Sequence, residues 1–150
     1  MDSDETHIKI RPSVADDLDA IEQLIQPFVA TRKLLSRTRR ELEGLIVTGF
    51  TATDGGRPMG FASIEIYSLK LAEILCLAVA DGYQGQGVGK RLIHSCVELA
   101  RQRDVLEVMA ISSAEGFLRE CGFDYILPDE KKALFCQLRA RHEEGMTKSE

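Results

Sequence analysis

The segment Gln84-Gly85-Gln86-Gly87-Val88-Gly89 sets three glycines in six residues, after the apolar run Ile74 to Val79 and before an amphipathic stretch. Glycines let a backbone turn tightly and come close to a ligand, and the first N–H groups of a following helix have no intrahelical partner. Together they make a site for a pyrophosphate. A plain tight turn is the competing reading. The spacing excludes two other nucleotide loops. Lys90 follows Gly89, but Arg91 stands where a Walker A loop needs a hydroxyl, and Lys90 takes the place of the third glycine of a dinucleotide fingerprint. Upstream, Glu73 is the only acidic residue between Ile66 and Ala80. A carboxylate in such an apolar stretch holds its proton more readily, which suits a base; the alternative is a glutamate at the exposed start of a strand. A third group is the basic stretch Arg32, Lys33, Arg37, Arg39 and Arg40, which reads either as a solvated helix start or as an anion site.

These residues need elements to hold them. After the glycine loop, Val88, Leu92, Cys96, Leu99 and Ala100 share one helical face, with Lys90, Arg91, Glu98, Arg101 and Arg103 at polar positions. The loop therefore joins a strand to a helix. Before it, His7 to Arg11 reads as a strand. Ser13-Val14-Ala15-Asp16 resembles a capping box opening a helix whose apolar face is Leu18, Ile21, Leu24, Ile25 and Phe28. Thr38-Arg39-Arg40-Glu41 opens a shorter helix that ends at Gly49. Phe50 to Thr53 and Pro58 to Tyr67 form a hairpin about Asp54-Gly55-Gly56, and Ser68-Leu69-Lys70 turns the chain into the strand that ends at Val79. Beyond the loop helix the pattern predicts a strand at 106–110, a short helix at 114–120, and strands at 123–126 and 132–139. The order βααβββαβαββ predicts an α+β chain with an α/β/α-like centre.

At 150 residues the sequence is the size of one domain, here 1–150, with a core over about 8–139 and a polar tail at 142–150. Net charge is −5, so no general electrostatic pull toward nucleic acid or acidic membrane exists. Without an apolar run of spanning length or a targeting segment at its start, the chain is expected to be cytoplasmic. Cys76, Cys96, Cys121 and Cys136 are dispersed among apolar neighbours, which predicts reduced thiols and no metal site.

The loop resembles the pyrophosphate loop of the GNAT acetyltransferase superfamily, whose Gln/Arg-x-x-Gly-x-Gly/Ala pattern is met by Gln84, Gly87 and Gly89. The element order is similar to the GNAT fold from about Ile8 to Arg139. That implies a mixed sheet of six to seven strands, splayed between the strands at 71–80 and 106–110. Three stretches resemble the acetyltransferase domain of bacterial N-acetylglutamate synthases: Leu34-Leu35-Ser36-Arg37-Thr38, Ala72-Glu73-Ile74-Leu75-Cys76-Leu77-Ala78-Val79, and Leu127-Pro128-Asp129-Glu130-Lys131-Lys132. Phe117 followed by Cys121-Gly122-Phe123 matches a helix end common among GNAT proteins. No stretch of this sequence matches the amino-acid-kinase-like domain that often precedes the module, so the expectation is a stand-alone amino-acid acetyltransferase. It carries with it a place in arginine biosynthesis.

The resemblance implies acetyl-CoA as co-substrate, held by Leu77, Ala78, Val79, Gln84, Gly85, Gln86, Gly87, Val88, Gly89 and Lys90. It implies direct transfer to an amine, with Glu73 as base. Strict alternation sets Glu73 and Cys76 on opposite faces, but the family usually has a bulge here that brings both toward the substrate and frees a backbone N–H. Cys76 is then a small lining residue. The tyrosine that often protonates the thiolate is replaced by Leu118, leaving Ser112 as the candidate acid, with Ser113, Tyr125 or a water as alternatives. Ser112 also reads as a helix N-cap. Leu34, Ser36, Arg37, Cys76 and Arg139 line the acceptor site. Arg139 matches a substrate-binding arginine, although it also reads as a solvent-facing strand end, and Ser36 occupies the other arginine's place with Arg37 beside it. Other acceptor amines and a CoA-binding module without turnover are the alternatives. The final apolar strand offers an edge on which a homodimer sheet could form.

Overall fold

A computed structural model describes residues 7–112, 114–126 and 133–139. Ser113, the stretch 127–132 and the tail 142–150 lie outside the described residues. The chain falls into two compact units that divide after Ile111.

The first unit holds a five-stranded sheet: β1 (Ile8–Pro12), β2 (Gly49–Asp54), β3 (Arg57–Ile66), β4 (Leu71–Val79) and β5 (Glu107–Met109), in that spatial order. The first four are antiparallel neighbours, and β5 runs parallel to β4. Two layers of helix cover it. Helices α1 (Leu18–Ala30) and α2 (Arg39–Val47) set Leu18, Ile21, Ile25, Leu42, Leu45 and Ile46 against Phe61, Cys76 and Ala78. Helix α3 (Val88–Gln102) buries Val88, Leu92, Ile93, Cys96 and Ala100 and lies against β2, β3 and β4. Its close seat depends on Gly60, where a Cβ would stand 3.2 Å from Leu92 Cδ1 and 3.1 Å from the Ala52 methyl. This α/β/α arrangement is the α+β GNAT architecture expected from the sequence.

The second helix starts as expected, with Thr38 Oγ1 accepting from the Glu41 N–H and Glu41 returning a bond to the Thr38 N–H. The first start is shifted. A 3₁₀ turn at Ala15–Asp17 leads into α1, and the buried Asp17, rather than Ser13, closes it by accepting from the Val14 N–H at 2.8 Å. Asp17 also takes both terminal nitrogens of Arg11 at 2.8 Å each, and the Thr51 hydroxyl at 3.1 Å. Ser13 is drawn away to Thr51, 2.7 Å distant. The network ties β1, β2 and α1 at one point, and Arg11 holds the Asp17 carboxyl below the usual range.

In the second unit, α4 (Glu115–Glu120) stops at Gly122, whose φ of 95° lets the Phe123 N–H return to the Leu118 carbonyl. The expected strands at 123–126 and 132–139 do not form: residues 123–126 and 133–139 have no strand pairing, and Leu134 and Leu138 are 92% and 88% exposed. Among the described residues the sheet therefore has five strands and not six or seven. Alternating apolar residues favour a strand only where a neighbouring edge supplies the ladder, and the ladder described ends at β5.

Candidate active site

Strand β4 carries the centre of the site because it is paired differently along its two edges. Toward β5 the pairing covers only Leu71 with Glu107, Ala72 with Val108 and Glu73 with Met109. From Ile74 to Val79 that edge has no ladder partner among the described residues, so the strands part after Glu73. Toward β3 the register passes from Ser63 opposite Leu75 to Phe61 opposite Ala78, leaving Cys76 and Leu77 to face Ala62 alone. This is the expected bulge. Cys76 takes a φ of 61°, a conformation that costs a non-glycine residue free energy and is held here by its packing.

The bulge changes which side chains share a face. Glu73 and Leu75 are on one face by alternation, and Leu75 and Cys76 both pack toward the α1 and α2 cluster. Glu73 and Cys76 thus come to the same side. Burial pushes the Cys76 thiol up to about 11, against the nearby positive charge of Arg37. A thiol so protonated is a poor nucleophile at neutral pH, as expected for a lining residue.

Glu73 is half-buried, less enclosed than the sequence suggested, and one of its oxygens is occupied. Tyr67, just past the end of β3, donates its hydroxyl to Glu73 Oε1 at 2.5 Å. That bond, with burial and the charges of Glu73 and Glu65, pushes the tyrosine up to about 12, while Arg37 works in the opposite sense. Arg37 therefore acts on both Tyr67 and Cys76. The basic stretch divides: Arg37 is half-buried and turned to this site, whereas Arg39 pairs with Asp19 at 2.7 Å and Glu22 at 2.9 Å to link α2 to α1. Leu34 packs against the cluster that contains Cys76, and Ser36 is exposed. Tyr67 was not among the residues singled out from sequence.

At the carboxyl end of β4, a 3₁₀ turn at Asp81–Tyr83 leads into the glycine loop. Gly85 and Gly87 have φ of 81° and 82°, and Gly87 is the N-cap of α3, supplying no side-chain cap. A Cβ at either would meet nothing within 4 Å, so the demand for glycine there is conformational. The Gly87 carbonyl accepts the first bond of α3, from the Arg91 N–H at 3.1 Å. The side chains of Gln84 and Gln86 turn to the loop's own backbone, Gln84 Nε2 donating to the Val79 carbonyl at 3.0 Å and Gln86 Nε2 to Gly82 at 3.3 Å. Backbone N–H groups and the start of the α3 dipole are what this loop can offer an anion. Tyr83, also missed from sequence, donates to Asp54 at the β2–β3 turn and anchors the loop to the sheet. Leu77 and Val79 are half-buried and Ala78 is buried; Val88 and Gly89 begin α3, and Lys90 is exposed.

Ser112 and Arg139 belong to the second unit. The Ser112 oxygen accepts from the Ala114 N–H at 3.0 Å in a local turn; Ala114, not Ser112, is the N-cap of α4, so the capping reading does not hold, and the bond leaves the hydroxyl proton to donate elsewhere. Arg139 is exposed and lies in a bend whose carbonyl accepts from Gln137. Tyr125, the other hydroxyl candidate, has its hydroxyl pushed up by the neighbouring Glu115 carboxylate and lies under the Arg119 guanidinium at 5.0 Å. Among the described residues no group of three or more histidine, cysteine or acidic side chains could hold a metal ion, and no helix is long and apolar enough to cross a membrane.

Comparison with known proteins agrees with this geometry. An N-acetyltransferase of Chlorobaculum tepidum, itself uncharacterized, is 26% identical over 117 residues, covering 78% of this chain and 76% of that protein. An amino-acid acetyltransferase of Neisseria meningitidis is 30% identical over 128 residues, 84% of this chain, although the chain spans only 29% of that relative's length. Among solved structures, N-acetylglutamate synthase from Neisseria gonorrhoeae, complexed with coenzyme A and N-acetyl-glutamate, superposes with a TM-score of 0.69 at 29% identity, over 75% of this chain and 27% of that one. That neighbour was solved with coenzyme A, and acetyl-CoA is the co-substrate consistent with this fold. The family model described as the Acetyltransferase (GNAT) family matches residues 15–123, and the chain belongs to that family.

Proposed function

We propose that this protein transfers the acetyl group of acetyl-CoA to the α-amine of a small amino acid, a glutamate-like acceptor being favoured, by direct attack within a ternary complex. The observation that carries the reading is the carboxylate of Glu73 at the point where β4 leaves β5, on the same side as Cys76, whose thiol feels the charge of Arg37. The relationship to amino-acid acetyltransferases supports the acceptor class.

Acetyl-CoA supplies an acyl group activated as a thioester. Near neutral pH an α-amine is largely protonated, and Glu73 removes that proton directly or through a water. As the amine nitrogen bonds to the acyl carbon and the carbon–sulfur bond breaks, the thiolate takes a proton for which Ser112 is the assigned donor. Backbone freed at the Cys76–Leu77 bulge receives the acyl oxygen. Leu77 to Val79 line the thioester arm, and Gln84 to Lys90 hold the pyrophosphate. Arg37 and Arg139 receive acceptor carboxylates, and Leu34, Ser36 and Cys76 shape the space around them.

A second reading keeps the donor and changes the acceptor to another amine, such as a polyamine. Glu65 stands directly opposite Glu73 in the ladder, and two carboxylates side by side suit an acceptor with a second positive charge. Steady-state kinetics with L-glutamate decide between them. Glu73→Gln is expected to lower kcat by about a hundredfold. Arg37→Ala and Arg139→Ala are expected to raise the KM for glutamate by about tenfold or more while leaving the KM for acetyl-CoA unchanged. Unchanged glutamate KM in both arginine variants would remove the acidic acceptor from the reading.

A further inference from the structure

We infer that Tyr67 is a positioning residue for the transfer step, fixing the Glu73 carboxylate through its hydroxyl so that only Oε2 faces the acceptor. The inference rests on the assignment of Glu73 as base. Three observations carry it. The Tyr67 hydroxyl lies 2.5 Å from Glu73 Oε1, and no other bond to Glu73 is formed among the described residues. The contact crosses the turn at Ser68–Lys70, and the turn is itself fixed: the Tyr67 N–H donates to the Leu71 carbonyl at 3.0 Å, and the Lys70 N–H to Ser68 Oγ at 3.0 Å. The register sets Ile66 opposite Ala72 and Glu65 opposite Glu73, so Tyr67, which faces Leu71, and Glu73 are diagonal neighbours across the hairpin end.

The arrangement has a chemical consequence. A half-buried glutamate at the last position of β4 paired to β5 rotates about three side-chain bonds unless something holds it. Tyr67 supplies that hold by donating, which spends its proton on Glu73 and bars it from serving as the acid for the thiolate. Because the tyrosine is pushed well above its ordinary value, it remains a donor throughout the range in which Glu73 must accept a proton. Glu65 and Arg37, which also act on the hydroxyl, are the other charged groups around it. When Glu73 takes the amine proton on Oε2, the bond to Oε1 is kept and no further proton moves.

The test is a double-mutant cycle of Tyr67→Phe and Glu73→Gln, assayed as CoA release with the best acceptor among the twenty L-amino acids. Tyr67→Phe alone is expected to lower kcat about five- to tenfold with the KM for acetyl-CoA unchanged, and to add less than about twofold in the Glu73→Gln background. Equal effects in both backgrounds, or none in either, would overturn the role. If Glu73→Gln itself leaves kcat unchanged, the base assignment fails instead. A readout without turnover checks the bond directly: at about pH 10.5, above the ordinary tyrosine value, Tyr67 should contribute no tyrosinate absorbance in the wild type, by difference from Tyr67→Phe. It should contribute a clear share in Glu73→Gln. Ionisation of Tyr67 in the wild type at that pH would contradict the inference.

Discussion

At residue scale, Cys76 shows how packing overrides residue type. A cysteine in a catalytic strand invites a covalent mechanism, yet this one is buried, its thiol pushed up to about 11, and its backbone is held at positive φ by the bulge. Cys76→Ala is therefore expected to keep kcat within about threefold, measured with saturating acetyl-CoA; loss of all turnover would restore a nucleophilic role. Cys76→Val asks a β-branched residue to adopt that φ and should destabilise the fold by about 2 kcal/mol, read from chemical denaturation. Glu73 stands out in the sequence as a single carboxylate in an apolar run, and its bond to Tyr67 does not. That bond depends on the register across Ser68–Lys70, which residue types at the turn do not disclose.

The elements were legible where local chemistry alone decides them. Thr38 with Glu41 marks a helix start whatever surrounds it, and the glycine loop sits between strand and helix as its neighbours required. Ser13 misled because a buried competitor, Thr51, claims its hydroxyl, and Asp17 takes over the start of α1. The last strands misled because alternation shows which residues suit a strand but not whether an edge awaits them. The loop yields its own prediction. Gly87→Val forces a side chain at a φ of 82° and should raise the KM for acetyl-CoA about tenfold while the acceptor KM stays constant. An unchanged KM for acetyl-CoA would mean that the loop does not bind the pyrophosphate.

Across the whole molecule, stability and activity draw on different parts of one sheet. The Arg11–Asp17–Thr51 network ties β1, β2 and α1 away from the reacting residues. Since the Asp17 carboxyl is held below its usual range, its contribution is complete above the ordinary carboxylate value near about pH 4 and is lost as pH falls through the lowered folded value. Asp17→Ala should cost about 3 kcal/mol at neutral pH and make unfolding less sensitive to acid, followed by circular dichroism across pH. Fold and donor were legible because a single continuous segment, strand to loop to helix, encodes both. The acceptor was less so, because no single segment encodes its recognition: Arg37 lies before α2, whereas Glu65 and Glu73 lie on β3 and β4. A release assay for free CoA, run with acetyl-CoA against the twenty L-amino acids and a panel of polyamines, tests the central claim most directly. Turnover led by glutamate or a close acidic relative is the predicted result, and turnover confined to polyamines, or none with any acceptor, would contradict it.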